Sequence, residues 1–434
     1  MIPNQWYVIL QSKDVKKNKP TKTRRMGQNL VLWRDLEGNL ICQEARCPHK
    51  GANLGDGRLK GNSVECPYHG FRFNGQGECV AMPCMGSDAR IPKTMRIKSY
   101  PVREHLGLIW LWWGEDRAVL PEIEVPTEVA DIPLSHATMS WSRPVNYTRY
   151  IESTLEFYHI TFVHRDNWFN TVDYVFLHGT PRKLGLDGRR RYLATTKIAN
   201  NHLEVDGHTL RYTYDHLDED DPSNANHYEV TFAFPNMTHV VTKQFEVTAW
   251  FTPIDEDNTE FILRWYEFPR LKSALRSERL RRLVPAVGLF FEKWIQDMQD
   301  VRMIQGQTPK VSRRGASKFV AVDELNAKYV QMRAQLLREA GVDPDGGEAP
   351  ERTPGEAAKV SKAKVLQAAQ EAAAAEARLA EVKAVEAAQA AQAADAAEAA
   401  EAVEAVETAE AVEVAEADGH LAGRPAAARA TAHA

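Results

Sequence analysis

Over roughly the first hundred residues the apolar stretches are short and punctuated. Trp6–Leu10, Leu30–Trp33 and Leu108–Trp113 are separated by segments rich in Gly, Asn and Asp, the pattern of strands joined by turns. Residues 1–115 are therefore predicted to be all-β. The longest apolar run, Leu106 to Gly114, falls far short of the roughly 18 residues of a membrane helix, so it reads as a buried strand. Pro121, Pro126 and Pro133 mark 116–135 as a linker.

From 136 to 320 the period changes. A helix is predicted over 146–164. Strands are predicted over 191–198, 208–216, 227–234, 239–254 and 260–268, with Asp255–Asn258 as the turn between the last two. A long helix follows over about 272–307, so this region is α+β, an antiparallel sheet with a long helix against it. A terminal helix is expected over 321–344. Residues 345–434 form an Ala/Glu-rich tail. Glutamates at 398, 401, 404, 407, 410, 413 and 416 recur every third position. Three residues advance a helix by about 300°, so these charges spiral and leave no fixed apolar stripe. A disordered or loosely helical, solvated tail is expected.

Composition narrows the function classes. The 434 residues carry a formal charge of -5, which gives no general attraction to nucleic acid. The basic runs at Lys16–Lys19 and Arg189–Arg191 read as solvated faces. The first residues hold no charged segment followed by an apolar one, so neither a secretory signal nor a membrane anchor is expected, and the cytoplasm is the expected setting. The five cysteines, Cys42, Cys47, Cys66, Cys79 and Cys84, are odd in number and close together. In a reducing compartment that favours a metal site over disulfides.

Cys47-Pro-His49 and Cys66-Pro-Tyr-His69, with sixteen residues between His49 and Cys66, supply two thiolates and two imidazoles. Structural zinc groups like ligands together. Each pair here mixes one Cys with one His, which suits a two-iron, two-sulfide cluster with both thiolates on one iron and both imidazoles on the other. Gly51, Gly55, Gly57, Gly61 and Gly70 permit tight loops whose N–H groups approach the cluster sulfurs. Cys42, Cys79 and Cys84 fall outside the motif and read as small residues in strands or loops.

These turns resemble the Rieske motif. Over about residues 1–310 the chain resembles the Rieske-type non-haem iron oxygenases, in the single-chain phthalate, O-demethylase and ketosteroid-hydroxylase branch. The resemblance implies a Rieske domain with one 2Fe-2S cluster, then a helix-grip-like catalytic domain holding one mononuclear Fe(II).

The second constellation is weak on spacing alone. His159 and His164 are five apart, which on an ideal helix leaves them about 140° apart. They could share a metal only if the helix loosens or ends between them, for example at a π-bulge. The resemblance supplies the rest: an acid, then His three later and His five later again, matching Glu156, His159 and His164. It implies a facial triad closed by a carboxylate on the long helix. Asp297 and Asp300 both offer one, a turn apart on a shared face, and Asp300 fits the family pattern better. Glu156 stands where many relatives have Asp, and Ser153 where many have Asn.

The resemblance further implies a reductase or ferredoxin donor, dioxygen and an organic small molecule as substrates, and a head-to-tail homotrimer in which Glu156 bridges His159 to the neighbour's His69. Hydroxylation or demethylation of an apolar or aromatic compound is the implied reaction. The other reading is a Rieske electron-transfer or ligand-binding protein without catalytic iron.

Overall fold

The computed structural model describes residues 1–88, 90–130, 132, 136–164, 196–218, 225–242, 245–266 and 277–344, and the account below concerns these. The expected tail at 345–434 lies outside them.

Eleven strands occupy residues 5–113: β1 (Gln5–Gln11), β2 (Thr21–Arg25), β3 (Gln28–Arg34), β4 (Leu40–Glu44), β5 (Arg58–Leu59), β6 (Ser63–Glu65), β7 (Arg72–Asn74), β8 (Cys79–Ala81), β9 (Ser99–Tyr100), β10 (Val102–His105) and β11 (Leu108–Trp113). They form three sheets, ordered β1-β11-β10, β2-β3-β4-β9 and β5-β6-β7-β8. Strand β11 shows why the sequence there is continuously apolar. Leu108, Trp110 and Trp112 face a core shared with Trp250 and Ile262, while Ile109 and Leu111 face Tyr7, Ile9 and Leu32. Both faces are covered, so the alternation of a half-buried strand disappears.

The seven remaining strands are β12 (His136–Arg143), β13 (Thr196–Asp206), β14 (Thr209–Asp218), β15 (Asn226–Ala233), β16 (Met237–Thr242), β17 (Glu246–Pro253) and β18 (Thr259–Tyr266). They form one antiparallel sheet, ordered β12-β18-β17-β16-β15-β14-β13. The fold is α+β, as expected. The β2–β3 hairpin docks on this sheet: Met26 and Gly27, both at positive φ, donate their N–H groups to the carbonyls of Pro253 and Ile254, each at 2.8 Å. Such left-handed pairs suit a two-residue hairpin.

The helices are α1 (Thr127–Ala130), α2 (Tyr147–Thr154), α3 (Ile160–Val163), α4 (Glu278–Ile295), a π turn (Gln296–Asp300), α5 (Val301–Gln305) and α6 (Glu324–Glu339). Among the described residues no helix is long and apolar enough to cross a membrane. Helix α4 comes close to β18 at Gly288, where a Cβ would sit 3.2 Å from the Trp265 ring.

Several elements differ from the sequence reading. The helix expected over 146–164 is two helices. Ser153 and Thr154 return their hydroxyls to the carbonyls of Tyr150 and Ile151 at 2.7 and 2.8 Å, and the Phe157 N–H is taken by the Tyr214 hydroxyl. Such side-chain bonds compete with the helical ladder. The strand expected over 239–254 is two, β16 and β17, turned where Thr242 N–H meets the Phe245 carbonyl at 2.9 Å. The expected linker contains α1. The strand expected over 191–198 is described only from Thr196, and it runs on to Asp206 through a bulge between Ala199 and His202. The long helix is described from Glu278, and its π turn was not foreseen.

Candidate metal centres

Cys47 and Cys66 head two loops closed in the same way. In each, the cysteine carbonyl accepts from the glycine four residues on, Gly51 at 2.9 Å and Gly70 at 3.1 Å. Each cysteine N–H donates to the carbonyl five residues on, Ala52 at 2.9 Å and Phe71 at 2.7 Å. Gly51 and Gly70 sit at φ +76° and +73°, which a side chain rarely tolerates. The matched loops bring the His49 and His69 rings to 4.6 Å between centroids, with His49 stacked on Phe71 at 4.7 Å.

The four side chains divide by environment. Cys47 and Cys66 are buried, His49 is exposed and His69 is half-buried. Burial pushes the Cys47 thiol up to about 11; the backbone N–H groups of His49 and Lys50 pull it down, and neighbouring Cys66 pushes it further up. A thiolate there needs a cation beside it, and those N–H groups are placed to donate to sulfur, so the residues fit an iron–sulfur cluster. Of the other cysteines, Cys42 lies in a separate buried core, Cys79 shares the hydrophobic core of Cys47 and Cys66 with its thiol near the Ala81 carbonyl at 3.5 Å, and Cys84 is exposed.

His159 caps the start of α3 and His164 its end, so the helix between them is only Ile160–Val163. The five-residue spacing is thus met by a short helix that begins after His159. The π turn lies on the opposite element, at Gln296–Asp300, and it aims Asp300 at the histidines. Asp300 Oδ1 lies 3.6 Å from His159 Nε2 and 3.4 Å from His164 Nε2. One donor atom from each of the three lies within 4.8 Å of the others. Asp297 does not share this face, contrary to the expectation from helical spacing. It pairs with Arg143 and, at 2.9 Å, with Lys293 Nζ.

Two further side chains orient the imidazoles. His159 Nδ1 lies 2.7 Å from Glu156 Oε1, and the His159 N–H donates to Glu156 Oε2 at 3.1 Å. His164 Nδ1 lies 2.6 Å from Gln299 Oε1. Both rings therefore turn Nε2 inward, the arrangement that metal-ligating histidines adopt. Burial alone would lower the His159 pKa, but the Glu156 and Asp300 carboxylates outweigh it and raise it. Asp300 is raised by burial, against the pull of His164 and His159. Two imidazoles and a carboxylate on one side of a cavity fit a non-haem iron with open positions. That cavity, about 140 Å³, is lined by Phe157, Phe245, Ile295 and Tyr150 among others, and by Glu292. Gln299, Gln296 and Glu292 were not singled out in the sequence as parts of this site.

The Rieske [2Fe-2S] domain family matches residues 5–101, and the ring hydroxylating alpha subunit catalytic domain family matches 130–338. Aminopyrrolnitrin oxygenase PrnD of Pseudomonas fluorescens is 32% identical over 165 residues, 37% of this chain and 45% of that protein. The oxygenase component of 3-ketosteroid-9-alpha-monooxygenase of Rhodococcus rhodochrous is 35% identical over 122 residues, 28% of this chain and 32% of that protein. The chain spans less than half the length of such curated relatives. The solved structure of NdmA from Pseudomonas putida CBB5 shares the fold, with TM-score 0.56 and 18% identity over 81% of this chain and 98% of that one. With one family model over the Cys/His loops and the other over the His/His/Asp cluster, the chain belongs to the Rieske-type oxygenase alpha subunits, which combine an iron–sulfur cluster with non-haem iron.

Proposed function

We infer that this chain is the oxygenase component of a multicomponent system that hydroxylates or demethylates an apolar or aromatic small molecule with dioxygen. The observation that carries the reading is the convergence of His159, His164 and Asp300 beside a cavity, in a chain that also holds the paired Cys/His loops. In this reading Cys47, His49, Cys66 and His69 hold one 2Fe-2S cluster, and His159, His164 and Asp300 hold one Fe(II). Bound there, the cluster supplies electrons and the iron activates dioxygen.

The chain's own residues do the positioning. Glu156 and Gln299 keep both Nδ1 atoms engaged, so each Nε2 lone pair faces Asp300. Phe157, Phe245 and Ile295 limit water beside the triad. His49 is exposed while both cysteines are buried, so the imidazole edge is where electrons arrive from a reductase or ferredoxin and leave. A head-to-tail homotrimer, a heterologous closed ring, would bring that edge to a neighbour's Glu156. Residues 1–115 are the electron-accepting module, 116–135 the connection, 136–320 the catalytic module and 321–344 the terminal helix. Free thiols suit the cytoplasm.

Metal analysis with an oxygen electrode tests the reading. About three irons and two acid-labile sulfides per chain are expected, with oxygen uptake that depends on an added organic substrate. About two irons per chain and no such uptake would instead indicate a Rieske electron-transfer or binding protein.

A further inference from the structure

The cavity beside the triad holds one carboxyl that the triad does not use. Glu292, two turns before Asp300, lines it and lies outside the group of mutually close donor atoms. Glu292 Oε1 accepts from Gln296 Nε2 at 2.8 Å, and Gln296 Oε1 accepts the Tyr150 hydroxyl, so a hydrogen-bonded relay fixes the carboxyl's direction. Lys293 on α4 and Arg143 at the end of β12 pair with Asp297 instead. The cavity's hydroxyls are also committed: Tyr150 to Gln296, Ser153 to the Tyr150 carbonyl and Thr154 to the Ile151 carbonyl. Burial pushes Glu292 up to about 7, with the Gln296 bond pulling down, Asp300 pushing up and His159 pulling down. With Oε1 held by Gln296, the second oxygen of this half-buried carboxyl, Oε2, is the one a molecule in the cavity can reach with a donor.

Resting on the oxygenase reading above, we propose that Glu292 anchors the substrate, and that the substrate is a small aromatic compound whose ring carries an N–H or O–H donor directed at Glu292 Oε2. The size agrees. The cavity among the described residues measures about 140 Å³, and an apolar cavity of roughly 150 Å³ takes one benzene ring. Ring faces meet Phe157 and Phe245, and the donor meets Glu292, so one edge of the ring is presented to the triad.

The test uses three rings of equal heavy-atom count, aniline, phenol and toluene, titrated calorimetrically into the iron-loaded full chain. Aniline or phenol is expected to bind at least about tenfold more tightly than toluene, the order of a hydrogen bond to a charged group. The better of the two tells an amine from a hydroxyl substrate. Glu292→Leu should reverse the order, since toluene is the most apolar ring, while Glu292→Gln, which keeps an acceptor, should preserve it in weaker form. Toluene ranking first in the wild type, no ring binding at millimolar concentration, or an unchanged order in Glu292→Leu with its iron intact would each overturn the proposal. Iron analysis of the same preparations separates this from failure of the oxygenase reading, which would show as a missing third iron.

Discussion

Asp297 and Asp300 differ by three positions, and the structure gives them opposite consequences when the charge is removed. Asp300→Asn takes the carboxylate out of the triad, leaving two imidazoles and a neutral amide. Losing an outer hydrogen-bond partner of a ligand typically costs 10–100-fold in metal affinity, so losing a ligand itself should exceed about 100-fold. Asp297→Asn leaves the triad whole but removes the counter-ion of Arg143, whose side chain is 8% exposed. A hydrogen bond to a charged group contributes roughly 1.5–3 kcal/mol. Asp297 is one-third exposed and an amide still accepts, so the lower part of that range, about 2 kcal/mol, applies. With an unfolding entropy of about 2.1 cal/mol/K per residue over roughly 340 residues, that lowers the thermal midpoint by about 3 °C. The assay is iron by plasma emission after desalting, with the cluster's visible absorption as internal standard, and a melting scan of each variant. Asp300→Asn should fall from about three irons per chain to about two with an unchanged cluster spectrum. Asp297→Asn should keep all three and melt early. Loss of the third iron from Asp297→Asn and its retention in Asp300→Asn would refute the assignment.

Other perturbations have equally definite outcomes. Glu156→Gln should retain both metal centres but slow substrate-dependent oxygen uptake by tenfold or more; wild-type turnover in that variant would remove Glu156 from the electron path. Gln299→Leu should lower iron affinity about 10–100-fold by freeing the His164 ring to rotate, read by chelator competition. His239 gives a pH signature: burial lowers it to about 4, with Glu128 and the Val247 backbone opposing, while Thr248 and Glu246 lie beside its ring at 3.0 and 3.8 Å. Its depressed folded pKa means the unfolded chain binds more protons between about 4 and 6.5, so stability is full above 6.5 and falls by up to about 3 kcal/mol as pH drops to 4. In His239→Gln that part of the acid slope, followed by denaturant titration at each pH, should flatten.

The cluster loops were legible in the sequence because their geometry is local: cysteine, histidine and the positive-φ glycine lie within five positions, and chain connectivity alone sets them. The convergence of His159, His164 and Asp300 was not. Helical spacing put His159 and His164 about 140° apart, and it put Asp297 and Asp300 on one face; each inference assumed an unbroken α-helix, and each fails where the helix breaks or widens. Only the family resemblance favoured Asp300. Glu292 and Gln296 were hidden for a further reason. Helix α4 and its π turn expose Phe290, Trp294 and Met298 at 64%, 43% and 59% while Gln296 is buried. Hydrophobic periodicity assigns polar side chains to solvent, so it does not mark Glu292 and Gln296 as lining a cavity.

Glu156 lies in the break between α2 and α3, and its extra methylene has a specific use there. One carboxylate oxygen reaches the His159 ring nitrogen and the other the His159 backbone N–H, so a single side chain fixes the imidazole and the backbone just before α3. Aspartate at the same position is shorter by about 1.5 Å, too little to keep both contacts without moving the helix start. Glutamate therefore couples the position of α3 to the orientation of the His159 ring, and each oxygen retains a lone pair for the neighbouring chain's histidine of the proposed trimer.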